Sequence, residues 1–367
     1  MSENLIYGAD ILAYGAKPDG KTDCSDAFTK AVENGESLIS IPYGTYVISR
    51  PIELSSGIKL NFHPSALIKY IPDSKDKKPM FYAKNGESIE ISGGIFDVYE
   101  KALVTSVFSF EGCDYVRISS CSINAPHAKT SILLDGTSNC CIDKITFNGM
   151  SDCVKLLGQC ENTTFKNSVV KAASNVIQLG EAKKESEITN LYIRNIDTAF
   201  CDSFFEFLNG TAENVQAENI SGRISFSFAK IFDTFDLSDS EFENIKVHLI
   251  DRGLNEGKIK CYFSFASCPD GLEIRNFERA SDMESVPLAP TFIMKNTNAD
   301  KAKLIIDGMA LDNVIAARGK SKTVSMTTAK LSNPCNRFIY TLEVGIAKDD
   351  SFTIPLGGFD YMSINRR

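Results

Sequence analysis

"CDYVRISSCSI", residues 113–123, sets apolar side chains at Val116, Ile118, Cys121 and Ile123. Alternation with a period of two marks a strand with one buried face. One extra residue separates the two apolar pairs, so the strand bends and then continues. The same pattern returns at Cys140, Ile142, Ile145 and Phe147, and more weakly at Thr163, Phe165, Ser168 and Val170. Further copies are Leu191, Ile193, Ile196; Val215, Ala217, Ile220; Phe242, Ile245, Val247; Leu272, Ile274, Phe277; and Leu304, Ile306. Upstream, Ile58 with Leu60 and Ile89 with Ile91 belong to the same series. Self-similarity at this period is the signature of a solenoid.

Asparagine pairs sit near the bends: Asn162 and Asn167, Asn190 and Asn195, Asn214 and Asn219. Their short amides bond backbone groups in turns. A second strand in each unit ends in glycine, as in "SILLDG" (131–136), "CVKLLG" (153–158) and "NVIQLG" (175–180). These features predict an all-β chain, a right-handed parallel β-helix of about ten coils stacked at ~4.8 Å.

An open solenoid end exposes its core and its strand edges. "DGKTDCSDAFTKAVENG" (19–35) supplies a plug. Ala27, Phe28, Ala31 and Val32 form one helical stripe, Asp23 or Ser25 suits the N-cap, and Asn34-Gly35 is a stop. From about Ser321 the rhythm changes to antiparallel strands around "KDD" and "GGFD". The expected organisation is a cap over 1–40, a β-helix over 41–320, and a β-rich cap or oligomerisation segment over 321–367.

Composition narrows the partners. The 367 residues carry a net charge of −8, which argues against binding a nucleic-acid backbone. The eleven cysteines show neither CxxC pairs nor zinc-ligand spacing, and most fall in strand contexts, so they read as buried free thiols. No cofactor and no metal site are expected. "MSENLIYGAD" has neither a basic nor an apolar leader region, and no run is long enough for a membrane span. The expectation is a chain made in the cytosol, remaining cytoplasmic or carried in a virion, with no membrane partner.

The opening stretch "YGAKPDGKTDCSDAFTKAV…ISIPYGTYVIS…IELSSGIKLNFHPSALI" resembles the pectate-lyase/polygalacturonase superfamily. "IEISGGIFD" (89–97) and the stretch from "FEGCDYVRISS" to "ITFNG" are similar to coils of the family 28 glycoside hydrolases, in the same order. The resemblance covers roughly residues 8–225 and implies the β-helix fold and a glycan ligand. The fold hosts hydrolases, lyases, epimerases and phage tailspikes, so function rests on the site.

At the site the motifs depart from the family. Its Asn-Thr-Asp falls at Met150-Ser151-Asp152, and its Asp-Asp at Ser174-Asn175. Its Gly-His-Gly falls near "AFCDSFFEF", which has no histidine, and its Arg-Ile-Lys echoes in Arg223-Ile224-Ser225. Hydrolysis of a glycosidic bond needs paired carboxylates. Asp152, Asp202 and Glu206 are the candidates, Glu206 as general acid because its strand is apolar. Lys155, His127, Asn175, Lys230 and Asp233 are the candidate substrate contacts. Phe204, Phe205, Phe226, Phe228, Phe232 and Phe235 cluster nearby; most are expected in the core, with one or two exposed to a sugar ring.

The expected function is therefore a glycoside hydrolase-like depolymerase acting on a polysaccharide or oligosaccharide, an acidic one included. The rival readings are a phage tailspike or receptor-binding protein, which implies a homotrimer, a non-catalytic glycan-binding module, and a lyase or epimerase.

Overall fold

The computed structural model describes residues 8–72, 78–98, 104–149, 151–250, 261–266 and 269–280. Beyond these it describes the strands Phe292–Lys295, Ala302–Asp307, Asn313–Ala317, Val324–Lys330, Phe338–Val344 and Phe352–Pro355. The chain is a parallel β-helix of about nine turns. It divides into two compact units, one ending at Ser174 and the other starting at Asn175.

In the first unit each turn contributes a strand to three faces. Every face pairs in parallel register, and the predicted apolar positions stack into inner columns. The first face aligns Ile39, Leu60, Ile91, Ile118, Ile142 and Phe165. The second aligns Tyr46, Ile68, Phe96, Ile123 and Phe147. The third aligns Ile52, Phe81, Phe108, Ile132 and Val154. All these side chains are buried. The sequence repeat is thus the pairing register itself: residues one period apart lie on top of one another.

The second unit follows the same rule with longer strands. Ser186–Phe207 and Gly210–Ile231 each run across bends that the sequence marks with asparagine. Asn190, Asn195, Asn214 and Asn219 all adopt left-handed φ between 56° and 58°. Asparagine tolerates this region better than other residues with a Cβ. The amides also ladder from turn to turn: Asn214 Nδ2 donates to Asn190 Oδ1 at 2.7 Å, and Asn219 to Asn195 at 3.3 Å.

The helix Ser25–Glu33 closes the first turns. Phe28, fully buried, touches Tyr46, Phe62 and Phe81, one ring from each face. The N-cap position is Cys24, which makes no side-chain cap bond. Asp23 serves from one residue earlier: its carboxylate accepts the Ser25 N–H at 2.9 Å and the Ser25 hydroxyl at 2.6 Å. Gly35 ends the helix at φ 77°.

In the second unit the parallel order gives way to antiparallel pairing. Ala302–Asp307 pairs in parallel with Leu272–Ala280 on one side and antiparallel with Phe338–Val344 on the other. Val324–Lys330 then adds antiparallel to Phe338–Val344, and Phe352–Pro355 to Asn313–Ala317. The connections at "KDD" and "GGFD" lie outside the described residues.

The described cysteines are free thiols, all buried except the half-buried Cys141. Burial pushes the thiols of Cys121 and Cys140 up to about 12, so neither is a nucleophile at neutral pH. Among the described residues no helix is long and apolar enough to cross a membrane.

Candidate functional site

The third face of the second unit gathers three of the candidate side chains. Phe205 and Phe207 lie in the core opposite Ala229 and Ile231 of the next turn. Strand alternation therefore turns the residues between them, Glu206 and Lys230, outward and in register. The Lys230 ammonium lies 3.4 Å from Glu206 Oε1. The Asn175 amide donates to the other oxygen, Oε2, at 3.0 Å. Lys230 also sits 4.2 Å above the half-exposed Phe232 ring, within cation–π range.

This arrangement alters the expectation for Glu206. Its neighbours in sequence are apolar, but they point into the core, so its own carboxylate meets an amide and an ammonium. Both oxygens are engaged, which orients the group. The ion pair is partly exposed, so it contributes at most about 1 kcal/mol to stability. What it fixes is position.

Asp202 is half-buried in the same strand and accepts the Ser225 hydroxyl at 2.7 Å. Ser225 is buried and belongs to the next turn. Asp233 is exposed, just past the end of Gly210–Ile231. Of the phenylalanines, Phe204, Phe205, Phe228 and Phe235 are core residues, while Phe226 and Phe232 are half-buried.

The first unit holds the others. Asp152 and Lys155 form an ion pair at 3.4 Å, their side chains only 12% and 9% exposed. Removing either partner would leave a charge with little water around it, the costly case for a buried pair. Lys155 is thus a buried, paired residue and not a solvated one. Next to Asp152, the Ser151 hydroxyl lies 3.4 Å from that of Ser131. His127 is exposed in the turn preceding Ala128–Asp135.

The structure therefore brings together Asn175, Glu206 and Lys230, and places Asp202 in the same strand as Glu206. Sequence reading missed the Ser225 hydroxyl on Asp202; only the one-turn offset between them could have signalled it. Among the described residues no group of three or more His, Cys, Asp or Glu could hold a metal ion.

The family model described as "Rhamnogalacturonase A/epimerase, pectate lyase-like" matches residues 9–200. A preneck appendage protein of Bacillus phage PZA is 34% identical over 133 residues, covering 35% of this chain and 15% of that protein. The chain thus spans about 15% of the length of that relative. Two solved structures share the fold at low identity. A tailspike protein mutant of E. coli bacteriophage HK620, in complex with a pentasaccharide, is 14% identical with a TM-score of 0.58, over 80% of this chain and 60% of that one. The Yersinia enterocolitica family 28 exopolygalacturonase is 13% identical with a TM-score of 0.52, over 80% and 78%.

Proposed function

Because the chain belongs to the rhamnogalacturonase A/epimerase, pectate lyase-like family, we propose that it engages a polysaccharide on the outer side of its β-helix and hydrolyses it. The observation that carries this reading is the Asn175, Glu206, Lys230 cluster, an oriented carboxylate on an outward face beside the half-exposed Phe232 ring. A sugar ring resting on Phe232 would bring its hydroxyls and glycosidic oxygen to these groups. Glu206 would protonate the leaving oxygen as the general acid; Asp202, four residues earlier in the same extended strand and so about 13 Å along it, is a further carboxylate on the path of the glycan. In the second unit Asp233 is a further proposed contact; in the first unit, taken by itself, Asp152 is the proposed acid and Lys155 and His127 the proposed contacts.

A second reading is a virion appendage that binds a surface glycan without cutting it, assembled as a homotrimer. The similarity to a phage preneck appendage protein favours it.

One experiment separates them. The protein is incubated with pectic, capsular and neutral polysaccharides, and reducing ends, ultraviolet absorbance and binding are read together. New reducing ends without absorbance support hydrolysis. Absorbance from unsaturated products replaces it with lyase chemistry. Binding without either signal leaves the appendage reading, and no interaction with any glycan removes both.

A further inference from the structure

The third-face cluster of the second unit is balanced in charge before any ligand arrives. The register that sets Lys230 on Glu206 places Ser264 next in the same outer column. The column thus runs carboxylate, ammonium, hydroxyl, with one charge of each sign. Lys230 Nζ lies 3.4 Å from Glu206 Oε1, and the Asn175 amide fills Oε2 at 3.0 Å. The Glu206 side chain is 19% exposed and that of Lys230 39%. Water therefore reaches the ammonium more readily than the carboxylate.

The ring beside this pair is held in place and covered. The Phe232 N–H donates to the Phe207 carbonyl at 2.9 Å, and the Phe232 carbonyl accepts the Phe235 N–H at 3.1 Å. Lys230 Nζ stands 4.2 Å over the ring centroid, the place a sugar stacked on that face would take. A sugar therefore reaches this face of Phe232 by moving the ammonium aside. The flexible four-carbon stem of lysine allows that movement. The residue after the ring, Asp233, is exposed and adds a second carboxylate.

Three kinds of sugar meet this arrangement differently. A sugar with an anionic group needs a cation. Lys230 could serve it only by leaving Glu206, a carboxylate with little water around it, without its ion pair. Asp233 adds like-charge repulsion. A sugar with a free amine would compete with Lys230 for Glu206 and meet a second ammonium there. An uncharged sugar disturbs neither charge. Each of its hydroxyls both donates and accepts, so it gives a hydrogen bond to Glu206 and takes one from Lys230. Its C–H groups suit the negative face of an aromatic ring, which an anion does not. We infer that the cluster takes an uncharged sugar residue, which displaces Lys230 from the Phe232 ring and leaves it paired with Glu206. The inference rests on the glycan reading above and names the substrate class at that same site. The net charge of −8 acts in the same direction, against a polyanion.

The test is calorimetry on the full chain with the polysaccharides of the screen above. Each is prepared with an alcohol, a carboxylate or an amine at the exocyclic carbon. The alcohol form should bind more tightly than either charged form, by about tenfold or more. Glu206→Gln leaves Lys230 unpaired, and should shrink or reverse the gap between the alcohol and the carboxylate. Glu213→Gln removes an exposed carboxylate from the same strand, changes the net charge equally, and should leave that gap alone. In NMR spectra of the free chain, the Phe232 ring should shift the Lys230 ε-methylene protons upfield. They should return toward their ordinary position when the alcohol form is added. Tighter binding of a charged form, or equal affinity for all three, overturns the inference while the glycan reading stands. So does a gap that Glu206→Gln leaves intact, or a Lys230 signal that stays upfield in the bound chain. If no polysaccharide is bound or cleaved in any form, the glycan reading fails and the substrate class falls with it.

Discussion

Lys230 lies directly above Glu206 in register, one turn along the helix, with its ammonium 3.4 Å from Oε1. The two are far enough apart in sequence to look unrelated, yet the fold makes them neighbours on one outward face. Glu206→Gln keeps the shape of the side chain and removes its charge and basicity. Hydrolysis is expected to fall by about 100-fold or more, the range for loss of an acid–base group. The melting temperature should stay close to that of the wild type, because the pair is partly exposed. An unaltered reducing-end rate would remove Glu206 from the chemistry.

Lys230→Met should act differently. It removes the ammonium from both Glu206 and the Phe232 ring while keeping an apolar stem. The expected result is weaker glycan binding with little change in stability, read by calorimetry beside a thermal melt. Glycan affinity equal to that of the wild type would count against the third-face cluster as a binding surface.

Phe28→Ala should be costly for folding and silent for binding. Its ring joins all three faces beneath the capping helix. Truncating a fully buried phenylalanine costs about 3–5 kcal/mol. The urea midpoint should drop accordingly, and the early loss of protection should localise to the first turns in hydrogen exchange.

The turn asparagines give a backbone test. Asn219 holds φ at 56°, and its amide reaches Asn195. Asn219→Val places a β-branched residue in the left-handed region and should cost about 1–2 kcal/mol or more. Asn219→Gly removes the amide bond but relaxes the backbone, and should cost less. A valine variant as stable as the glycine one would show that the amide ladder, and not the backbone angle, decides these turns.

Stability should also fall in alkali. Burial raises the thiols of Cys121 and Cys140 from 9.0 to about 12. In the unfolded chain they ionise near their ordinary value; in the folded chain they stay protonated. The stability they support is fully present below pH 9.0 and is lost as pH rises toward 12. Urea midpoints at pH 7, 9 and 10 should decline, and Cys121→Ala with Cys140→Ala should flatten the decline. In native protein the half-buried Cys141 should be the first of the described thiols to react with a thiol reagent.

The inner columns were legible because they obey two periodicities at once, the alternation of a strand and the repeat of a coil. Ile118 and Ile142 satisfy both, and they pair. The turn asparagines were legible because their chemistry is local. The candidate site was not, because outward side chains carry no periodic signal and meet partners a whole turn away. Lys155 looks solvated in its own window until Asp152 folds onto it. Asn175 and Glu206 are separated by 31 residues that the chain spends on more than one strand. Gly222 reads as an ordinary breaker; that it has no room for a side chain follows only from Thr198 one turn away, whose carbonyl oxygen a Cβ would meet at 2.4 Å.

The helix over Phe28 has a consequence for how the chain keeps count. Coils that resemble one another can pair one step out of place with little penalty, as beads on a string can be miscounted. The aromatic plug meets Tyr46, Phe62 and Phe81 and so gives the stack an origin. From that origin each coil has one address. Deleting a whole interior coil should then close the gap with its order preserved, whereas deleting the plug should leave a population of chains misnumbered from the start.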